Sequence, residues 1–410
     1  TMRTIPIAII YEERDNVDIF GAYNHSSFAD ETRYSVGFRP QSVVIGDFNN
    51  DNQLAIVVAN GDSDDVSILL GYGNGSFANQ TRYSVGVYPQ SVVIGDFNND
   101  NRLDIVVANG GSDDVSILLG YGNGSFTNKT RYSVGINPQS VDIGDFNNDT
   151  RLDIVVANWD SDDVSILLGY GNGSFANQTT YSVGYSPRFV VIGDFNNDNR
   201  LDIVVANGGS NDVSILLGYG NGSFTNQTRY SVGRNPQSVV IGDFNNDNRL
   251  DIVVANWDSD DLSILLQNNK EFIASQMAYA SGGGSSLRYV VIGDLNNDTN
   301  MDIVLANYGT SNVGVGFGYG NGSFEKQMML STGSNSQPTS ITIGDFNGDS
   351  VVDIAMVNYG TKQVGVMFGY GNRRFAYQIS DGISFDLRSS AMVSGDFNND
   401  KRAEIAIIYE

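Results

Sequence analysis

One heptapeptide sets the terms for this chain: Ile-Gly-Asp-Phe-Asn-Asn-Asp returns, with small changes, from one end to the other. Its first Asp falls at 47, 96, 145, 194, 243, 294, 345 and 396, a spacing of 49 residues four times and 51 residues three times. A fixed period of this size overrides the two or three domains that 410 residues would otherwise suggest. It points to a solenoid, an array or a propeller.

Within one period the pattern is short and strand-like. Gln90–Ile94 is an apolar run, Asp96–Asp104 a polar loop, Ile105–Ala108 a second apolar run and Val115–Leu119 a third. The Gly-rich turn Gly120–Gly124 follows, and Ser125–Gly135 alternates polar with apolar residues. Four short segments separated by turn residues make an antiparallel meander, and no segment holds a helical period. The first three strands are apolar on both faces, as strands packed on both sides require. The fourth is half polar, as an edge strand facing water should be. A four-stranded sheet buried on both faces and repeated radially is a propeller blade.

The expected fold is therefore all-β, a single β-propeller domain over 1–410. Residues 38–388 hold seven complete blades, and the ends close an eighth. Residues 5–37 read as strands two to four of that blade, with Asp18-Ile19-Phe20-Gly21 in the third, and 389–410 as its strands one and two. Ile-Ala-Ile-Ile-Tyr-Glu occurs both at 7–12 and at 405–410, so the second strand is present twice. Only one copy fits a closed ring. The other would fray or pair with a neighbouring molecule by strand addition, giving seven blades plus strands shared with a neighbour as the alternative.

The polar loop reads Asp-x-Asn-x-Asp-x-x-x-Asp. Oxygen-bearing side chains at positions 1, 3 and 5 converge on one point, a backbone carbonyl at position 7 (Arg102) adds to them, and a carboxylate at position 9 closes the shell. A hard cation wanting six to eight oxygens, Ca²⁺ rather than Mg²⁺, fits that set. The complete loops are Asp96, Asn98, Asp100, Asp104; Asp145, Asn147, Asp149, Asp153; Asp194, Asn196, Asp198, Asp202; Asp243, Asn245, Asp247, Asp251; Asp294, Asn296, Asp298, Asp302; and Asp345, Asn347, Asp349, Asp353. The first has Asp47, Asn49 and Asp51 but Ala55 at position 9, so the weakest affinity is expected there. The last has Asp396, Asn398 and Asp400 closed by Glu404. Eight dications would bring the net charge of −24 to −8. Asn- and Asp-rich turns also arise for hairpin geometry alone, but that does not account for the carboxylate at position 9.

These motifs, with the Leu-Gly-Tyr-Gly-Asn-Gly-Ser-Phe turn, resemble the FG-GAP (VCBS-type) repeat family of integrin α-subunit heads and many secreted proteins, over essentially the whole chain. The resemblance implies a propeller of seven or eight blades with Ca²⁺ in the loop between the first two strands, held by the loop residues named above.

Meander connectivity puts the second-to-third and fourth-to-first connections on the face opposite these loops, and variation between repeats collects there. Tyr88, Trp159, Tyr185, Trp257, Tyr308 and Tyr359 mark it as a candidate surface for a protein or carbohydrate ligand, against the alternative of relaxed constraint in exposed loops. Sequons at Asn24, Asn74, Asn79, Asn123, Asn128, Asn172, Asn177, Asn221, Asn226 and Asn321 fall in the Asn-Gly turn or on the outer strand. Asn148 and Asn297 lie inside loops and are poorer acceptors.

Composition excludes several chemistries. There is no Cys and one imidazole, His25, so Cys/His zinc sites, Cys nucleophiles and His triads are out. With 23 Lys plus Arg against 47 Asp plus Glu, no nucleic-acid partner is expected. No apolar run is long enough to span a membrane as a helix. The start, Thr1-Met2-Arg3-Thr4, does not read as a secretory signal, which fits a mature product as well as a cytoplasmic one. A lyase or hydrolase would need paired or perturbed carboxylates outside the repeat, and the most irregular stretch, Gln267–Arg288, offers only Lys270, Glu271 and Arg288. The reading is a non-catalytic, calcium-binding propeller, extracellular or at the cell surface, serving adhesion, ligand binding or a matrix, with a glycosylated filament joined by strand addition as the alternative.

Overall fold

The computed structural model describes residues 16–20, 22–23, 27–28, 32–267, 273, 275–384 and 389–409. Blade one is the pattern for the rest: strands Pro40–Gly46, Ala55–Asn60, Asp65–Leu69 and Thr81–Ser84, paired antiparallel in sequence order. Blades two to seven begin at Pro89, Pro138, Pro187, Pro236, Leu287 and Pro338. The first strand of every blade touches the first strand of the next, and the eighth touches that of blade one, so the ring is closed at eight blades. The seven-blade alternative falls on that closure.

The eighth blade pairs Ser389–Gly395, Glu404–Tyr409, Asn16–Phe20 and Thr32–Ser35 in that order. The C-terminal copy of the duplicated segment thus holds the second-strand slot, with Ile408 opposite Val17 and Ile405 opposite Phe20. Strands two to four, expected from 5–37, narrow to strands three and four within the described residues. The copy at 7–12 lies outside them.

Burial follows strand order. All six residues of Ala55–Asn60 and all five of Asp65–Leu69 are buried, while Thr81–Ser84 is mostly exposed. Strand four is shorter than expected. In blade two it is Thr130–Ser133 rather than 125–135, because Phe126 leaves the sheet to bridge Gly120 in the preceding turn. The core lies between blades: Phe48, Val57 and Ile68 of blade one pack with Val92, Ile105 and Leu118 of blade two.

Aromatic rings join the blades at the loop end. Phe175 of blade three meets Phe97 and Tyr132 of blade two at centroid distances of 5.8 and 5.5 Å, and its N–H donates to the Tyr132 hydroxyl at 3.1 Å. Phe175→Ala should cost about 3–5 kcal/mol in denaturant unfolding. A loss under about 1 kcal/mol would show that the ring is not part of the inter-blade seam.

Candidate functional site

Each polar loop folds on its own side chains. Both oxygens of Asp96 accept backbone N–H groups, from Asp100 at 3.0 Å and Asn101 at 2.7 Å. Asn98 Oδ1 accepts from Asp100 N–H and Asp100 Oδ1 from Arg102 N–H. Positions 4 and 6 are left-handed, as at Asn99 (φ 57°) and Asn101 (φ 61°), which is why Asn recurs there. These bonds tie the carboxylates at positions 1 and 5 of the loop to its own backbone.

Position 9 does a second job that sequence reasoning missed. Asp104 is fully buried, and its carboxylate accepts Phe97 N–H at 2.9 Å and Gly120 N–H at 2.7 Å. The same pair of bonds forms in loops three to seven, as at Asp153 with Phe146 and Gly169. Burial pushes Asp104, Asp153, Asp202 and Asp302 up to about 6, and Asp251 and Asp353 to about 7, with the neighbouring loop aspartates adding to the rise. Ala55 in the first loop, itself buried, offers neither bond.

Among the described residues, only the eighth loop brings three carboxylates within 4.8 Å of one another: Asp396, Asp400 and Glu404. The extra methylene of Glu404 explains it. Its Oε2 still accepts Phe397 N–H at 2.6 Å, while Oε1 accepts from Asn398 Nδ2 at 2.8 Å, toward the other loop carboxylates. The shorter Asp stays against the backbone. In the sixth loop neither Oδ1 nor Nδ2 of the Asn296 amide has a hydrogen-bond partner. Carboxylate and amide oxygens are the donors that positions 1, 3, 5 and 9 offer, a chemistry that fits a hard dication.

The Gly-Asn-Gly turn of blades one to four and six closes over the loop of the preceding blade. Gly124 N–H donates to Phe48 O at 3.1 Å and Gly173 N–H to Phe97 O at 3.0 Å. A Cβ at Gly124 would lie 2.4 Å from Leu70, and its φ is +80°, so glycine is required there. Blade seven departs from this: Arg373 takes the glycine's place at φ 65°. Its guanidinium lies over Phe317, contacts Glu325 and sits 3.3 Å from Asp298 Oδ2 in the sixth loop. Burial raises that carboxyl, but hydrogen bonds outweigh it and hold it below its ordinary value, the Asn300 N–H foremost and Arg373 the least of them.

On the opposite face the candidate aromatics gather in part. Trp257, Tyr308 and Tyr359 form a ledge across blades five to seven, with centroids 5.4 and 6.0 Å apart. Trp159 carries the Arg188 guanidinium at 4.1 Å and Tyr88 carries Arg39 at 5.3 Å, while Tyr185 is 65% exposed and outside the ledge. The sequon asparagines from Asn74 to Asn321 are all exposed, and Asn24 lies outside the described residues. Oδ1 of those in the turn accepts the following Ser N–H and hydroxyl, as at Asn123, which ties the hairpin. Lys270 and Glu271 fall outside the described residues.

Fold and loops together define an eight-bladed β-propeller with an Asp/Asn-rich loop between the first two strands of each blade. The FG-GAP-like repeat matches this sequence at 47–107, 96–156, 145–205, 194–254, 243–305, 294–356 and 345–407, and the chain belongs to that family. No curated protein matches by sequence. Solved structures share the fold at low identity. A protein from Lactobacillus plantarum is 13% identical, with a TM-score of 0.54 over 78% of this chain and 96% of its own. An Agrocybe aegerita lectin recognising non-reducing terminal N-acetylglucosamine is 16% identical, with a TM-score of 0.51 over 89% and 98%. BBS1N, solved in complex with ARL6DN, is 14% identical, with a TM-score of 0.53 over 79% and 91%.

Proposed function

We propose that this protein is a calcium-rigidified binding module without a catalytic step, acting outside the cell or on its surface and capturing a carbohydrate or protein partner on the face opposite the metal loops. The Trp257–Tyr308–Tyr359 ledge carries this reading, because the repeat is otherwise near-identical and departs from itself where those rings meet. Loop carboxylates would hold Ca²⁺ from positions 1, 3, 5 and 9, and the ion would supply the cross-link that disulfides give other extracellular proteins. Exposed sequons suit glycans that shield the outer strands. The test is a screen of immobilised glycans and proteins in calcium, repeated with Trp257→Ala. Ligands retained by the wild type and lost by the variant support the reading; retention by both sinks it.

In the sixth loop Arg373 stands 3.3 Å from the position-5 carboxylate of Asp298, where the second, third, fourth and eighth loops have their own position-7 arginine at 3.4–3.7 Å, so a guanidinium beside that carboxylate is common to these loops.

The filament reading retains one observation: Glu404–Tyr409 fills the strand slot that the identical segment at 7–12 could take. Fibres in electron micrographs that vanish on deleting residues 1–15 would favour it.

A further inference from the structure

Two arginines break the eightfold pattern where the rings are. At the start of each first strand the register slips by one residue, as between Pro40 and Ser42. Such a bulge re-aims the extra side chain. Blades one, two, three and five place Gln there, and the Gln139 and Gln237 amides turn back onto Asn137 and Asn235 of the adjacent connection. Blades four and six place Arg188 and Arg288.

Arg188 stacks on Trp159, and Arg288 lies over both Trp257 and Tyr308 at 5.7 and 5.9 Å. Although the two come from blades four and six, Arg288 is near enough for its charge to act on Arg188. Neither has a carboxylate within salt-bridge distance among the described residues, and Arg188 Nε is buried with no hydrogen-bond partner. Asp258 is the nearby opposite charge that acts on Arg188. Desolvating a guanidinium without an acceptor is unfavourable, and a protein carrying −24 has no shortage of carboxylates to pair it with. A guanidinium stacked by its face keeps its N–H edge free for a planar anion.

We propose that Arg188 and Arg288 form a binding site for the carboxylate of an acidic sugar, a uronic-acid residue within an oligosaccharide whose neighbouring rings lie on the Trp257–Tyr308 ledge. The inference rests on the loop-face reading above and names the ligand class for it. Sugar is favoured over an acidic peptide because the site spans three blades and joins anion-binding edges to flat apolar ring faces, which a lone side-chain carboxylate would leave unused.

The experiment is calorimetric titration of the full chain in calcium buffer with tetragalacturonate, its fully methyl-esterified form, and a tetra-aspartate peptide. Tetragalacturonate should bind, and Arg188→Gln or Arg288→Gln should weaken it about tenfold or more. The ester should bind weakly and equally to all variants. Arg188→Lys keeps the charge but not the fork and should recover only part of the affinity, which separates recognition from misfolding. Equal binding of acid and ester, lost only in Trp257→Ala, overturns the arginine site and leaves the ligand-face reading standing. Tighter binding of the peptide replaces sugar with protein as the ligand class. No binding of any of the three overturns the site.

Discussion

In chelator, this protein should melt at a higher temperature at pH 5 than at pH 7.5, and saturating Ca²⁺ should invert that order. Six buried aspartates at position 9 titrate near 6 to 7 in the fold against an ordinary 3.8, and Glu404 near 7 against 4.5, in each case chiefly because burial disfavours the charged form. Between about pH 4 and pH 7 the folded chain therefore binds more protons than the unfolded one. The slope of unfolding free energy with pH is then negative, so stability is greatest at the acid end and is lost as pH rises through the folded values. On the calcium reading, the ion would bind the ionised loops and release those protons, adding about 2.7 kcal/mol for each site held at roughly a hundredfold excess over its Kd. Calorimetric scans at the two pH values, with and without calcium, decide it. A chelated protein that is more stable at pH 7.5 would show that the loops rest comfortably ionised without metal.

The second large effect is at a single carboxylate. Asp153→Ala should destabilise the protein by about 2–5 kcal/mol even in chelator, because Phe146 N–H and Gly169 N–H each lose a buried acceptor. Asp153→Asn keeps the volume but has one carbonyl oxygen for two donors, so an intermediate loss is expected. The reverse change has a ready host: Ala55→Asp puts a carboxylate where the first loop lacks one, beside Asp47, Asn49 and Asp51. It should raise the melting temperature in calcium and add one ion to the count. If Asp153→Ala melts like the wild type in chelator but gains less from calcium, the residue acts through the metal alone, and the backbone-staple argument fails.

Much of this was legible in the repeat. Strands two and three are continuous apolar runs because both faces meet neighbouring blades, and the polar fourth strand marks the rim. The loops were visible because Asp and Asn at alternate positions recur in register. Less visible was the part played by the Gly-Asn-Gly-Ser-Phe turn. Its sequence announces a hairpin, and nothing local says that Gly124 N–H will meet Phe48 O one blade away. Arg188 and Arg288 were in plain view as departures from Pro-Gln-Ser, but only the bulge and the ring beneath each give them a direction.

The sequence by itself determined the blade, its period, the Asp/Asn pattern of the loop and the rim where repeats diverge, since these depend on residue patterns a few positions long. The tertiary structure alone decided for the expected eight blades against the seven-blade alternative, and it alone decided that Glu404–Tyr409 holds the shared strand slot and which loop gathers its carboxylates. Those are matters of distance between segments hundreds of residues apart, or of one methylene in a side chain. Ring closure is the physical reason: it fixes every blade against two neighbours at once, and so places residues together that no stretch of chain connects.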